Sequence, residues 1–284
     1  MTDTVYLNGQ FVASNEARIS IFDRSVLFGD AVYEVAGVMD RKLIDFEHHM
    51  SRLFNSLSKL RIPPPLTESE LLDAFREMVR RNSIAEGMIY LQITRGEAPR
   101  DFAWPENLTP NVFMFAAKKS LSDSKAAATG VQLISTPDLR WARRDIKSVN
   151  LLGQVLAKHR AQEAGAYEAL LHDEHNVITE CGSTSFFIIR DGAIITRPLS
   201  NDILPGVTRR AVIELAETEN YSVEQRPVSL DEARSADEAF ITGASSCVIP
   251  VTHIDNESIG NAKPGPITRR VSDIYLRFVH DTLT

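Results

Sequence analysis

Arg144-Asp145-Ile146-Lys147-Ser148-Val149-Asn150-Leu151-Leu152-Gly153, running on through Gln154-Val155-Leu156-Ala157-Lys158, is the stretch on which the reading of this chain turns. It joins an extended segment, Gly130 to Pro137, to an amphipathic helix beginning near Asn150, which Asn150 is placed to cap. The chain has eight lysines. Lys42 is in a turn, Lys59 ends a helix, Lys118, Lys119 and Lys125 share a polar segment, and Lys263 is in a loop. Lys147 sits among apolar neighbours at an element boundary, with Ile146 and Val149 beside it. Such surroundings desolvate an amine and lower its pKa, as a Schiff-base nucleophile requires. A lysine stem covering a helix start with its head in water fits the same stretch. The stretch by itself leaves both open.

Working outward, 284 residues suit one large domain or two ordinary ones, and either buries a sizeable core. Lys plus Arg number 31 against 38 Asp plus Glu, a net charge of −7. The basic residues are dispersed, which argues against a nucleic-acid partner. No stretch nears the ~18 apolar residues of a membrane span, and the N-terminus lacks the basic-then-apolar pattern of a signal peptide. Two cysteines, Cys181 and Cys247, are too few for a disulfide framework, so a reducing cytoplasmic setting is expected.

Thr4 to Val12 alternates around Asn8-Gly9, a hairpin signal. Ala31 to Val35 reads as a strand, with a turn at Asp40-Arg41. Phe46, Met50, Leu53, Phe54, Leu57 and Leu60 recur at helical spacing, and Arg52 lies beside that stripe. Thr67 with Glu70 forms a capping-box pattern. Strands follow at Met88 to Thr94 and Asn111 to Ala117. A mixed α/β (α+β) chain results, with a domain over residues 1–118, a Ser-, Ala- and Lys-rich interdomain linker over 119–130, and a strand-heavy domain over 131–284.

In that second part, Gly206-Val207-Thr208 places a glycine, backbone N–H groups and a hydroxyl at a helix start, where a phosphate is well received. An ordinary helix start after Pro205 reads the same way. Glu180 ends a strand before Cys181-Gly182-Ser183-Thr184-Ser185, where a carboxylate suits a cationic ring nitrogen and equally suits a solvated loop. Thr242-Gly243-Ala244-Ser245-Ser246 allows close backbone approach to a ligand, or is a plain turn. His48, His49, His172 and His175 lack the ligand sets of zinc sites and read as surface histidines; no metal is expected. An amine, a carboxylate and a phosphate-type helix start together describe a pyridoxal 5'-phosphate (PLP) site.

These residues carry a resemblance. The chain is similar over nearly its whole length to the fold-type IV PLP-dependent aminotransferases, and within them to bacterial D-amino acid transaminases. The most specific parts are Asp23-Arg24 with Phe28-Gly29-Asp30-Ala31-Val32-Tyr33-Glu34-Val35, and Asp145 to Gly153. Thr94-Arg95-Gly96, Pro99-Arg100, Tyr167-Glu168-Ala169, Thr179-Glu180 and Ile203 to Arg209 also match. The resemblance implies a small N-terminal α/β domain, a C-terminal pseudobarrel, cofactor in the cleft between them, and a homodimer. It implies that Lys147 binds the cofactor aldehyde and then acts as acid–base. Glu180 would keep the pyridine nitrogen protonated, and Arg52, Gly206, Val207 and Thr208 would hold the phosphate. Ser183, Leu204, Ala244 and Ser245 complete the cofactor set; Tyr33, Arg100 and Phe102 face the substrate, Arg100 from the neighbouring subunit.

Three positions depart from that pattern. Phe102 stands where the resemblance places a carboxylate-binding histidine, Ala244 where it places a threonine hydroxyl, and Gly37 where it places a lysine. The implied reaction is ping-pong transfer of an amino group from a D-amino acid to a 2-oxo acid, both small molecules. An L-branched-chain or R-amine transaminase or an aminodeoxychorismate lyase of the same fold is the alternative.

Overall fold

The computed structural model describes residues 4–121 and 125–282, which group into two compact units. One contains residues 4–121 together with Ile146–Asn150; the other contains 125–145 and Leu151–Asp281. The expected linker includes residues 122–124, which lie outside the described residues, and it also contains a short helix, Lys125–Thr129, belonging to the second unit.

The first unit is an antiparallel sheet backed by helices. Its elements are β1 (Thr4–Leu7), β2 (Gln10–Ala13), α1 (Arg24–Phe28), β3 (Ala31–Met39), β4 (Lys42–Leu43), α2 (Phe46–Leu60), α3 (Glu68–Arg81), β5 (Gly87–Thr94) and β6 (Val112–Lys118), in sheet order β2-β1-β6-β5-β3-β4. Asn8 and Gly9 both adopt positive φ, as a tight two-residue hairpin demands. Thr67 caps α3 reciprocally with Glu70; replacing such a cap with alanine costs about 1 kcal/mol. Burial alternates along β3 and β5. Val32, Glu34 and Ala36, with Ile89, Leu91 and Ile93, are buried, while Tyr33, Val35, Tyr90 and Gln92 are half-buried. Period-two alternation puts these sets on opposite faces. Glu34 therefore points with the apolar set, toward Met50, Leu53 and Leu57 of α2. The other face carries stacked rings: Tyr33 lies 5.5 Å from Tyr90, and Tyr90 lies 4.7 Å from Phe115.

Ile146–Asn150 completes this unit at the free edge of β3. Ser148 bridges Val32; Tyr33 N–H donates to the Lys147 carbonyl (2.9 Å) and Val149 N–H to that of Ala31 (3.2 Å). Lys147 thus extends a sheet. Asn150 does not cap the following helix, whose first turn has no side-chain cap; its amide donates to the Gly29 carbonyl at 3.4 Å. The left-handed C-cap at Gly29 brings that carbonyl within reach.

The second unit runs α4 (Lys125–Thr129), β7 (Val131–Pro137), α5 (Leu152–Glu163), β8 (Glu168–His172), β9 (Ile178–Cys181), β10 (Ser185–Arg190), β11 (Ala193–Thr196), α6 (Val207–Thr218), β12 (Val223–Gln225), α7 (Leu230–Arg234), β13 (Glu238–Gly243), β14 (Cys247–Ile254), β15 (Glu257–Ser258) and α8 (Pro266–Thr282). The strands order as β12-β11-β10-β13-β14-β7-β8-β9, with β15 on β14. The sheet curls, and a turn in which the Cys181 N–H donates to the Thr184 carbonyl joins β9, its last strand, to β10. Leu133, Leu170, Ile188, Ile241 and Ile249 fill one side of it with Leu230 and Ala233 of α7. Ala169 and Leu171, of the opposite parity on β8, pack with Ala157 and Ala161 of α5. α6 covers β13, where Phe187 and Phe240 stack at 4.6 Å.

Candidate active site

The site residues expected from the sequence fall into two groups, one on each unit. In the first, Lys147 and Tyr33 come together: Nζ lies 4.1 Å above the centre of the Tyr33 ring, within cation–π range. Among the described residues Nζ makes no ion pair, so nothing competes for the amine. The Lys147 N–H donates to Ser56 on α2 at 3.3 Å. One helical turn before Ser56 lies Arg52, which is buried; its Nε donates to Glu34 Oε1 and its Nη2 to Oε2, both at 2.8 Å.

His49, expected at the surface, is buried. Its Nδ1 lies 2.8 Å from Glu34 Oε2. The reason is parity: Glu34 faces the helices, and a buried carboxylate draws in polar partners three residues apart on α2. Burial alone would raise the Glu34 carboxyl, but Arg52 and His49 outweigh it and hold the group far below the usual range. Burial lowers the His49 imidazole, partly opposed by Glu34. Facing a carboxylate, which only accepts, Nδ1 is the donor.

Arg100 and Phe102 lie in the irregular chain after β5, both exposed, Phe102 by 78%. The Arg100 guanidinium is 5.7 Å from the Phe28 ring and 5.9 Å from that of Phe102. Arg24 anchors this stretch by donating to the carbonyls of Asp101 (2.7 Å) and Phe102 (3.1 Å), while Asp30 binds both Arg24 and Arg95.

In the second unit Glu180 is buried in β9 and is not the solvated loop residue its flanking sequence also allowed. Its Oε1 accepts from Arg140 Nη1 (2.5 Å) and from the Leu204 N–H (3.0 Å). Burial raises the carboxyl above its ordinary value, with Arg140 pulling it back. Ser183 is exposed and donates to the buried Glu168 at 2.6 Å. Val207 and Thr208 are buried in the first turn of α6, whose N-cap, Gly206, has no side-chain cap.

Several small groups converge there. A Cβ on Gly206 would lie 2.7 Å from Ser185 Oγ, and one on Gly243 would lie 2.8 Å from Ser246 Oγ and 3.1 Å from Thr184 Cγ2. Ser185 pairs across the sheet with Thr242. The hydroxyl of Thr242 is buried without a hydrogen-bond partner among the described residues, and that of Thr184, also buried, has the weakly bonding Cys181 thiol beside it. Buried hydroxyls ordinarily find strong partners, so these two, near a helix start without a side-chain cap, fit a phosphate. Ala244 brings no hydroxyl to this loop, and Ser245 lies beside it, half-buried. Each unit thus carries part of what pyridoxal phosphate asks for: an amine without an ion-pair partner among the described residues on the first, a buried carboxylate and this cradle on the second. No group of His, Cys, Asp and Glu among the described residues is arranged to hold a metal ion, and no described helix is long and apolar enough to cross a membrane.

The fold, and the residues that each unit carries, are those of a pyridoxal phosphate enzyme of mixed α/β architecture. Comparison with known proteins gives the family: the amino-transferase class IV model matches residues 31–254, and the chain belongs to that family. It is accordingly a PLP-dependent aminotransferase of fold type IV. It is 37% identical to the D-alanine aminotransferase of Staphylococcus haemolyticus, over 97% of each chain. It is 39% identical to that of Bacillus licheniformis, over 94% of each. Among solved structures, the T.th. branched-chain amino acid aminotransferase with pyridoxamine 5'-phosphate superposes with a TM-score of 0.91 at 30% identity, covering 98% of this chain and 94% of that one. The Escherichia coli branched-chain enzyme has a TM-score of 0.90 at 24% identity, covering 98% of this chain and 95% of that one, a likeness of fold alone.

Asp138 and Arg140 escaped the reading of the sequence, Glu34 was read only as part of a strand motif, and His49 was misread as a surface residue. Glu34 left a signal: a carboxylate at the same parity as Val32 and Ala36 must be buried and therefore partnered. Arg140 left none, because burial of an arginine in an irregular segment follows from tertiary contacts.

Proposed function

We propose that this enzyme transfers the amino group of a D-amino acid to a 2-oxo acid. The observation that carries the reading is the near-full-length match to D-alanine aminotransferases of two organisms at 37% and 39% identity. Bound pyridoxal phosphate supplies an electrophilic aldehyde and a ring that accepts electron density. Lys147 Nζ would hold the aldehyde, and the same amine would take the Cα proton of the amino donor and return one to the acceptor carbon. Glu180 would meet the ring nitrogen, with Leu204 and Ser183 completing that part of the cofactor set. Arg52, the α6 N–H groups at Gly206, Val207 and Thr208, and the Ala244-Ser245 backbone hold the phosphate. Tyr33 and Arg100 receive the substrate carboxylate, next to Phe102. The donor leaves as its oxo acid before the acceptor enters, giving ping-pong kinetics.

We take residues 1–118 and 131–284 as the two domains with 119–130 as linker, the working form as a homodimer in which Arg100 serves the neighbouring subunit, and the setting as cytoplasmic. The 30% identity to a branched-chain enzyme, with Phe102 in place of a polar donor, supports a second reading, an L-branched-chain transaminase. Loss of the holoenzyme's visible absorbance on adding D-alanine, L-leucine or an R-amine decides between them. D-Alanine should bleach it; bleaching by L-leucine alone would overturn the first reading. Lys147→Ala should abolish turnover, a loss of at least about 10⁴-fold on the scale of a removed nucleophile and base, and full activity in that variant would sink both readings.

A further inference from the structure

The carboxylate of Glu180 is held in an unequal way. Oε1 accepts both protein hydrogen bonds, from Arg140 Nη1 and from the Leu204 N–H. Oε2 accepts none among the described residues. Behind it stands a chain of alternating charges, all on the second unit. Arg140 Nε and Nη2 reach the two oxygens of Asp138 at 2.9 and 2.7 Å. Asp138 also accepts from the Thr179 hydroxyl (2.7 Å) and the Arg140 N–H (3.1 Å), and faces Arg144 Nε at 3.2 Å. Asp138 and Arg140 are nearly inaccessible, their side chains 1% and 4% exposed.

We propose that Asp138 and Arg140 are positioning residues that fix Glu180 by one oxygen, so that the other is presented to the protonated ring nitrogen of the cofactor. The inference rests on the cofactor reading above. Three physical points carry it. A carboxylate this deep favours its neutral form unless a cation stands beside it, and a neutral acid cannot be relied on to keep a weakly basic ring nitrogen protonated. The guanidinium fork sets direction as well as charge: with Nε and Nη2 fixed by Asp138, Nη1 has one place to point. Two donors on Oε1 also stop the carboxylate rotating, so Oε2 keeps its aim without a partner in the protein.

The test separates the ring nitrogen from the rest of the cofactor. Full-length apoprotein, wild type, Arg140→Met and Asp138→Asn, is titrated with pyridoxal phosphate and with its 1-deaza analogue, in which CH replaces the ring nitrogen. Arg140→Met should weaken pyridoxal phosphate about 10- to 100-fold, the scale of one charge-assisted hydrogen bond, and change the analogue by less than about threefold. Asp138→Asn should show a smaller loss with the same selectivity. Circular dichroism checks folding. Should the methionine variant not fold, Arg140→Lys carries the comparison, because lysine keeps a charge but not the fork, and the loss should again fall on pyridoxal phosphate alone. Equal losses on both ligands, or no loss on either, would overturn the proposal while leaving the cofactor reading intact. Wild-type protein binding neither ligand would overturn the cofactor reading, and this inference with it.

Discussion

Two buried carboxylates, Glu34 and Glu180, each face an arginine, yet the protein treats them oppositely. Glu34 has both oxygens engaged, by two donors of Arg52 and by His49, and its carboxyl is held far down. Glu180 has one oxygen engaged, and its arginine is shared with Asp138; burial wins and its carboxyl is raised. The difference lies in how many donors meet each oxygen, since both groups are buried. A closed pair such as that at Glu34 fixes an element, here α2 against β3. A half-closed one such as that at Glu180 leaves an acceptor for a ligand.

The largest effect that can break this comparison is on stability. Glu34→Gln removes the buried charge facing Arg52 and His49 and should cost about 3–5 kcal/mol in urea unfolding. Glu180→Gln should cost only about 1 kcal/mol, because the amide oxygen still accepts from Arg140 and Leu204 while Arg140 keeps Asp138. Similar costs at the two positions would refute the contrast.

A second test uses pH. A lowered folded-state pKa contributes stability that is full above the unfolded value and lost as pH falls. The advantage of wild type over Glu34→Gln should therefore shrink below about pH 4.5. Glu180 is raised, so its contribution is full below that pH and lost as pH rises through its folded value. The advantage over Glu180→Gln should thus shrink in the other direction. His49 adds to the first slope: its lowered pKa makes acid destabilising from about pH 6.5 downward, and His49→Gln should flatten wild-type stability between about pH 7 and 5.

The smallest effect concerns the exposed loop, which neither carboxylate touches. Phe102→His should leave stability within about 0.5 kcal/mol, as its exposure allows. It should lower KM for D-alanine about tenfold if the added ring nitrogen reaches the substrate carboxylate beside Arg100. An unchanged KM would remove Phe102 from the substrate site.

Much of this was legible in the sequence because it is local. The hairpin at Asn8-Gly9, the capping box at Thr67 and the apolar stripe of α2 are each written in nearby residues, and each forms as read. Lys147 stood out for similar reasons. Its place between β7 and α5 was read correctly, but its bridge to β3 was not, since the pairing of Ser148 with Val32 joins residues far apart in the chain and no local pattern announces it. His49 failed in the same manner: its burial depends on Glu34, across a sheet and a helix. The short helices α1, α4 and α7 run five residues each, too few for periodicity to register.

The account stands on one covalent assignment, that Lys147 carries the cofactor. Reduction of the purified holoenzyme with borohydride, followed by digestion and mass measurement of the peptides, tests it directly. The expected result is a pyridoxyl adduct on the peptide containing Lys147 and no other. An adduct on a different lysine, such as Lys158, or none at all, would contradict it.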